Sequence, residues 1–118
     1  MDDAERALVV KALTCGVTGC VEWDPDEADK LRGDPYLKGL TPEGIQKDLT
    51  DYVIHQGAEA VRQIKEKRKG YQHRVYYYKV VVPYPDLFRH GLFVEMELFD
   101  RDVDLPVVHL LNAHEQKK

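Results

Sequence analysis

His73-Arg74-Val75-Tyr76-Tyr77-Tyr78-Lys79-Val80-Val81-Val82 and Leu92-Phe93-Val94-Glu95-Met96-Glu97-Leu98-Phe99 are the two stretches that decide the fold. Both are rich in β-branched and aromatic residues, and both alternate with a period of two, as a strand with two unlike faces does. In the second, Leu92, Val94, Met96 and Leu98 form an apolar face, while Phe93, Glu95, Glu97 and Phe99 point the other way. In the first, Val75, Tyr77, Lys79 and Val81 oppose Tyr76, Tyr78, Val80 and Val82. Pro83 and Pro85 are expected to end the first strand, because proline supplies no ladder donor. A loop over 83–91, closed by Gly91, then leads to the second strand. After an acidic turn at 100–104 a third strand is expected over 105–113. Connections this short favour an antiparallel meander.

Upstream of residue 60 the period is helical. Ala4, Leu8, Val9 and Ala12 form one stripe over 3–14, with Gly16 as a stop. The Gly- and β-branched-rich stretch 16–23 suits a turn or a short strand. Asp24-Pro25-Asp26-Glu27 starts a short second helix that ends near Gly33: Asp24 caps, Pro25 fits the first helical position, and Glu27 completes a capping box. Thr41-Pro42 starts a third helix, whose residues Ile45, Leu49, Tyr52 and Val53 share one face. Gly57 breaks it, and residues 58–68 are expected to continue as a basic helix with Ala58, Val61 and Ile64 inward. Helices first and strands second predict an α+β domain, with helices on one face of a three- to four-stranded antiparallel sheet.

A length of 118 residues suits one domain of roughly 100–200 residues. The reading divides it into an acidic helical extension, 1–40, and an α+β core, 41–118. Hydrophobic residues at 43% exclude global disorder. No apolar run approaches the roughly 20 residues of a membrane span, and the acidic start does not read as a secretory signal, so a cytoplasmic protein is expected.

The net charge of −4 hides an asymmetry. Residues 1–60 carry 6 Lys and Arg against 13 Asp and Glu, whereas residues 61–118 carry 11 against 8. The segment 62–79 sets Arg62, Lys65, Lys67, Arg68, Lys69, Arg74 and Lys79 against Glu66 alone. Such cations neutralise phosphates, and an interleaved tyrosine such as Tyr71 offers a plane for an unstacked base. A solvated charged face is the plainer reading of the same residues.

Other candidates are weaker. His114, near the chain end beside Asn112 and Glu115, has the chemistry of a general acid or base; an exposed terminal histidine is the alternative. Cys15 and Cys20 lack the second ligand pair of a zinc site, so buried structural thiols are expected. Asp100, Asp102 and Asp104 alternate as in calcium loops but lack the turn glycine and distal glutamate. Glu95 and Glu97 either pair with the basic segment or face water. No metal or cofactor is expected.

Leu40-Thr41-Pro42-Glu43-Gly44-Ile45, the basic stretch, Tyr76-Tyr77-Tyr78-Lys79, Gly91-Leu92-Phe93-Val94-Glu95-Met96-Glu97-Leu98 and Pro106-Val107-Val108-His109-Leu110-Leu111-Asn112-Ala113-His114 follow one another in an order that resembles a known group. They resemble the small bacterial α+β domains of the RelE and MqsR type of toxin–antitoxin ribonuclease, over roughly residues 40–114. The resemblance implies metal-independent cleavage of free or ribosome-bound mRNA, and an antitoxin protein as partner. Such toxins use clusters of Lys, Arg and Tyr, sometimes with His or Gln; the matching positions are Lys65, Arg68, Tyr71, Arg74, Tyr78 and His114. In that reading Arg68 and Arg74 hold phosphate, Tyr71 stacks a base and His114 moves a proton, with Arg62, Lys65, Lys67, Lys69 and Tyr78 binding RNA around them. Two features depart from the pattern: the chain is acidic overall, and its first 40 residues exceed a minimal toxin. Both favour the alternative expectation, a non-catalytic interaction or regulatory domain of the same fold, acting as a homodimer or on a partner protein.

Overall fold

A computed structural model describes residues 3–16, 19–71 and 73–117. Of the stretch 16–23, residues 17 and 18 lie outside the described residues. The elements are α1 (Asp3–Thr14), β1 (Val21–Trp23), α2 (Pro25–Leu31), α3 (Pro42–Gln56), β2 (Arg62–Lys65), β3 (Tyr76–Tyr84), β4 (Phe88–Asp100) and β5 (Val107–Glu115), with 3-10 turns at Pro35–Leu37 and Ala58–Ala60.

The helix starts form where their caps sit. The Asp24 carboxylate accepts from the amides of Asp26 and Glu27 at 3.0 and 3.2 Å. Thr41 Oγ1 accepts from the Gly44 amide at 3.1 Å, with Pro42 in the first turn, where a missing N–H costs nothing. Ile45, Leu49 and Val53 of α3 are fully buried. They share one cluster with Val9, Ala12 and Leu13 of α1 and with Tyr78, Val80, Leu92, Val94, Met96, Val108 and Leu110 of the sheet. The first forty residues are therefore built into the core: α1 packs on α3, β4 and β5, and β1 is a strand of the same sheet.

The fold is α+β, but the sheet has five strands and is mixed. The order is β1-β5-β4-β3-β2, with β1 parallel to β5 and the remaining pairs antiparallel. Trp23 Nε1 donates to the Pro42 carbonyl at 2.8 Å, and Gln46 Nε2 to the Val21 carbonyl at 3.0 Å, so α3 holds this short edge strand in place.

The expected basic helix over 58–68 does not form. Gly57, at φ 87°, terminates α3, one 3-10 turn follows, and Arg62–Lys65 pairs antiparallel with β3 as the opposite edge strand. Lys and Arg on an edge strand deter pairing with another sheet, and Arg6 Nε fixes the approach to it by donating to the Val61 carbonyl at 2.8 Å. Nor does Pro83 end β3, which runs on to Tyr84 through an irregular register between Val82 and Tyr84. Gly91 faces that irregularity at φ 85°; a Cβ there would lie 2.8 Å from both the Val82 carbonyl oxygen and Val81 Cγ1. Only glycine fits both the backbone angle and the space.

Candidate functional site

The helices cover the face of the sheet that carries Tyr78, Val80, Leu92, Val94 and Met96. By alternation the other face presents Tyr77 and Lys79 of β3 and Phe93, Glu95, Glu97 and Phe99 of β4; on β5 it presents Asn112 and His114 and, across the register shift opposite Glu95 and Met96, also His109. The loop joining β2 to β3 is drawn over this open face. Its base is closed by the Glu66 amide donating to the Val75 carbonyl at 2.8 Å.

Two arginines from that loop meet three glutamates. Arg68 donates to both oxygens of Glu95, at 3.2 and 2.9 Å, and through Nε to Glu66 at 2.8 Å. Arg74 reaches Glu66 at 2.6 and 2.8 Å, Glu95 at 3.0 Å and Glu97 at 3.2 Å. His73 Nε2 lies 3.2 Å from Glu97. The Arg68 guanidinium sits 4.6 Å from the Tyr71 ring centre and 4.5 Å from that of Tyr77; for Arg74 the distances are 4.6 and 5.4 Å. Both cations thus take carboxylates in plane and aromatic faces above, the arrangement a planar guanidinium suits and an ammonium does not.

Arg74, Glu66 and Glu95 have side chains only 6%, 2% and 7% exposed, so this cluster is desolvated and internally neutralised. Hydrogen bonds from Arg68 first, and from Arg74, hold the Glu66 carboxyl down at about 2. The bond to Glu66, followed by that to Glu95, pushes Arg68 further up. Two guanidiniums against three carboxylates leave no positive excess at the centre of the open face. A cleft of about 300 Å³ beside the cluster, lined by Asp24, Glu27, Arg68, Tyr71, Glu97 and Asn112, is acidic.

Arg68, Tyr71 and Arg74 are therefore brought together, as the sequence suggested, but with both arginines engaged by carboxylates. His114 shares the open face and stands opposite Phe93, two register positions from Asn112 and Glu95. Its ring stacks on Phe93 at 4.6 Å and 14°, it is exposed, and it does not line the cleft. Arg62 and Lys65 are exposed on the edge strand, Lys67 and Lys69 in the loop; among the described residues none of the four has a hydrogen bond or an ion pair from its side chain. Tyr78 is fully buried on the helix-covered face, its hydroxyl accepting from Gln63 Nε2 at 2.9 Å, so no base can reach its ring.

Sequence reasoning set Phe93 and Phe99 on the face away from the core but singled out neither them nor Tyr77 and His109 as candidate site residues. The signal was the parity of the strands, which puts Tyr77 opposite Tyr78 and Phe93 with Glu95. His109 stacks on Phe99 at 3.9 Å, and Lys79 Nζ lies 5.4 Å from the Phe93 ring centre. The alternating aspartates of 100–104 serve their own turn: Asp100 accepts from the Asp102 amide at 3.0 Å, and Asp102 from the Asp104 amide at 2.8 Å. Among the described residues no group of three or more His, Cys, Asp or Glu is placed to hold a metal ion, and no helix is long and apolar enough to cross a membrane.

Comparison with protein-family models, with curated proteins and with solved structures finds no match to this chain.

Proposed function

We propose that the protein is an RNA-binding module that holds single-stranded RNA along the β2–β3 hairpin without cleaving it. The observation that carries this reading is the division of the basic residues. Arg68 and Arg74 are consumed by glutamates and shape the loop, whereas Arg62, Lys65, Lys67 and Lys69 stay exposed on the same hairpin and, among the described residues, unpaired. A backbone following that edge meets four cations, and its bases turn toward Tyr71 and the aromatic open face. Four neutralised phosphates correspond to a log–log salt slope of about −3 for a single strand.

A second reading, metal-independent cleavage of the kind the RelE and MqsR resemblance implies, is favoured by the convergence of Arg68, Tyr71 and Arg74. It requires those arginines to exchange buried carboxylates for phosphate, and His114 to act from a position outside the cleft. One experiment separates the two. A labelled mixed-sequence single-stranded RNA is titrated with protein in EDTA at several salt concentrations, and the same samples are run on a denaturing gel. Salt-dependent binding with intact RNA is expected. Cut RNA would establish the second reading, and no binding at low salt would refute both.

A further inference from the structure

The open face carries two stacked pairs, each a phenylalanine of β4 with a histidine of β5, and their surroundings differ in charge. Phe93 and His114 stack with ring centres 4.6 Å apart and planes 14° apart. Phe99 and His109 stack at 3.9 Å and 13°. Apolar exposure alone would favour the second pair, since Phe99 is 65% exposed. Charge favours the first. Arg62 of β2 stands opposite Lys79 of β3, so both project from the open face, and Lys79 Nζ lies 5.4 Å from the Phe93 ring centre. Glu95, across from Lys79 on β4, is taken up by Arg68 and Arg74. Among the described residues Lys79, like Arg62, has no ion pair. The second pair sits among carboxylates: Glu22 lies 3.7 Å from His109, and Asp100 follows Phe99 at the head of the acidic turn. A polyanion is drawn to the first pair and repelled by the second.

We infer that Phe93 and His114 form a base-stacking subsite for single-stranded RNA, with Arg62 and Lys79 holding the phosphates that lead to it. The inference rests on the RNA reading above and extends the strand's path from the hairpin across the sheet. In the strand order β2, β3, β4, β5, the residues Arg62, Lys79, Phe93 and His114 follow one another, one per strand. Three strand spacings of about 4.8 Å make this strip roughly 14 Å long, enough for a short extended segment. Lys79 flanks Phe93 from β3 and His114 flanks it from β5. β1, beyond β5, pairs with Val108, His109 and Leu110 and stops short of His114, whose ring is exposed. The stack is therefore open on the His114 side, and a base laid there continues it. Because every base has a π-face, this subsite is tolerant of sequence. Lys79 adds one phosphate contact to the four on the hairpin, whereas the rings add affinity that salt does not screen.

The test measures binding of a labelled mixed-sequence single-stranded RNA at several salt concentrations by the full chain and four variants: Phe93→Leu, His114→Ala, Lys79→Ala and Phe99→Leu. His114 is exposed near the chain end, so its variant keeps the test open should Phe93→Leu disturb the fold. Phe93→Leu and His114→Ala are each expected to weaken binding by about 5- to 150-fold, the span of one base–aromatic stack, with the salt slope unchanged. Lys79→Ala is expected to lower the magnitude of the log–log slope by about 0.7. Phe99→Leu is expected to bind as the parent does. Parent-like affinity in His114→Ala, a loss in Phe99→Leu equal to that in Phe93→Leu, or a lower slope in His114→Ala would each overturn the inference and leave hairpin binding standing. A parent chain that binds no RNA at low salt would overturn both.

Discussion

Replacing Arg74 by Met tests the cluster that pins the hairpin over the sheet. The Arg74 side chain is 6% exposed and bonds Glu66, Glu95 and Glu97 at 2.6, 3.0 and 3.2 Å. Methionine fills much of the volume but leaves Glu66 and Glu95, 2% and 7% exposed, with Arg68 as their remaining charged partner. Removing one member of a buried ionic set costs about 3–5 kcal/mol, because the others are left desolvated and undercompensated. At about 2.1 cal/mol/K of unfolding entropy per residue, 118 residues give about 0.25 kcal/mol/K, so the melting temperature should fall by about 12–20 °C. Acid separates this cause from simple loss of packing. In the parent, Glu66 titrates at about 2 against an ordinary 4.5, so its stabilisation, roughly 3 kcal/mol, is complete above about pH 5 and is lost as pH falls through the folded value. In Arg74→Met, Glu66 keeps Arg68 but loses one of the two guanidiniums that hold its carboxyl down. The variant thus has less of this stabilisation to lose, and the gap between the two proteins should narrow as pH falls from about 5 toward about 3. Urea denaturation of both proteins across that range reads the difference. A cost under about 1 kcal/mol, or parallel pH profiles, would refute the reasoning.

Three further outcomes follow from the packing and the loops. Leu49→Ala, at a fully buried position of α3, should cost about 2–5 kcal/mol in urea denaturation. Gly91→Ala combines a φ of 85° with a Cβ 2.8 Å from the Val82 carbonyl oxygen and should cost about 2 kcal/mol or more, read as a lower denaturation midpoint. His114→Ala removes an exposed ring stacked on Phe93 and should change stability by less than about 1 kcal/mol by the same assay.

Much of this architecture is legible in the sequence because it is local. Thr41-Pro42 and Asp24-Pro25 carry their caps within three residues, and the inward parity of Leu92, Val94, Met96 and Leu98 is fixed by a period of two. What is not local was misread. Arg62-Gln63-Ile64-Lys65 has the composition of an exposed helix, and a charged edge strand of four residues has the same composition, because one side of it is solvent. Only its pairing with Tyr76–Lys79 distinguishes the two. The parallel partner of β1 is β5, far along the chain, and no short-range pattern announces it. The site shows the same division. Arg68, Tyr71 and Arg74 are close in sequence and their convergence was expected. Their glutamate partners come mostly from β4, so whether those arginines are free for phosphate depends on how the loop folds onto the sheet.

The central claim is that RNA binds the unpaired cations of the hairpin, and one comparison tests it most directly. Lys65, Lys67 and Lys69 are replaced together by Ala, and in a control chain Lys30, Lys38 and Lys47, which carry the same charge away from the hairpin, are replaced instead. The salt dependence of single-stranded RNA binding is measured for both beside the parent. The account predicts that the hairpin variant loses about 2 from the magnitude of the log–log slope, at about 0.7 per phosphate contact, while the control keeps the parent's slope. Equal slopes in the parent and the hairpin variant, or the loss appearing in the control, would contradict it.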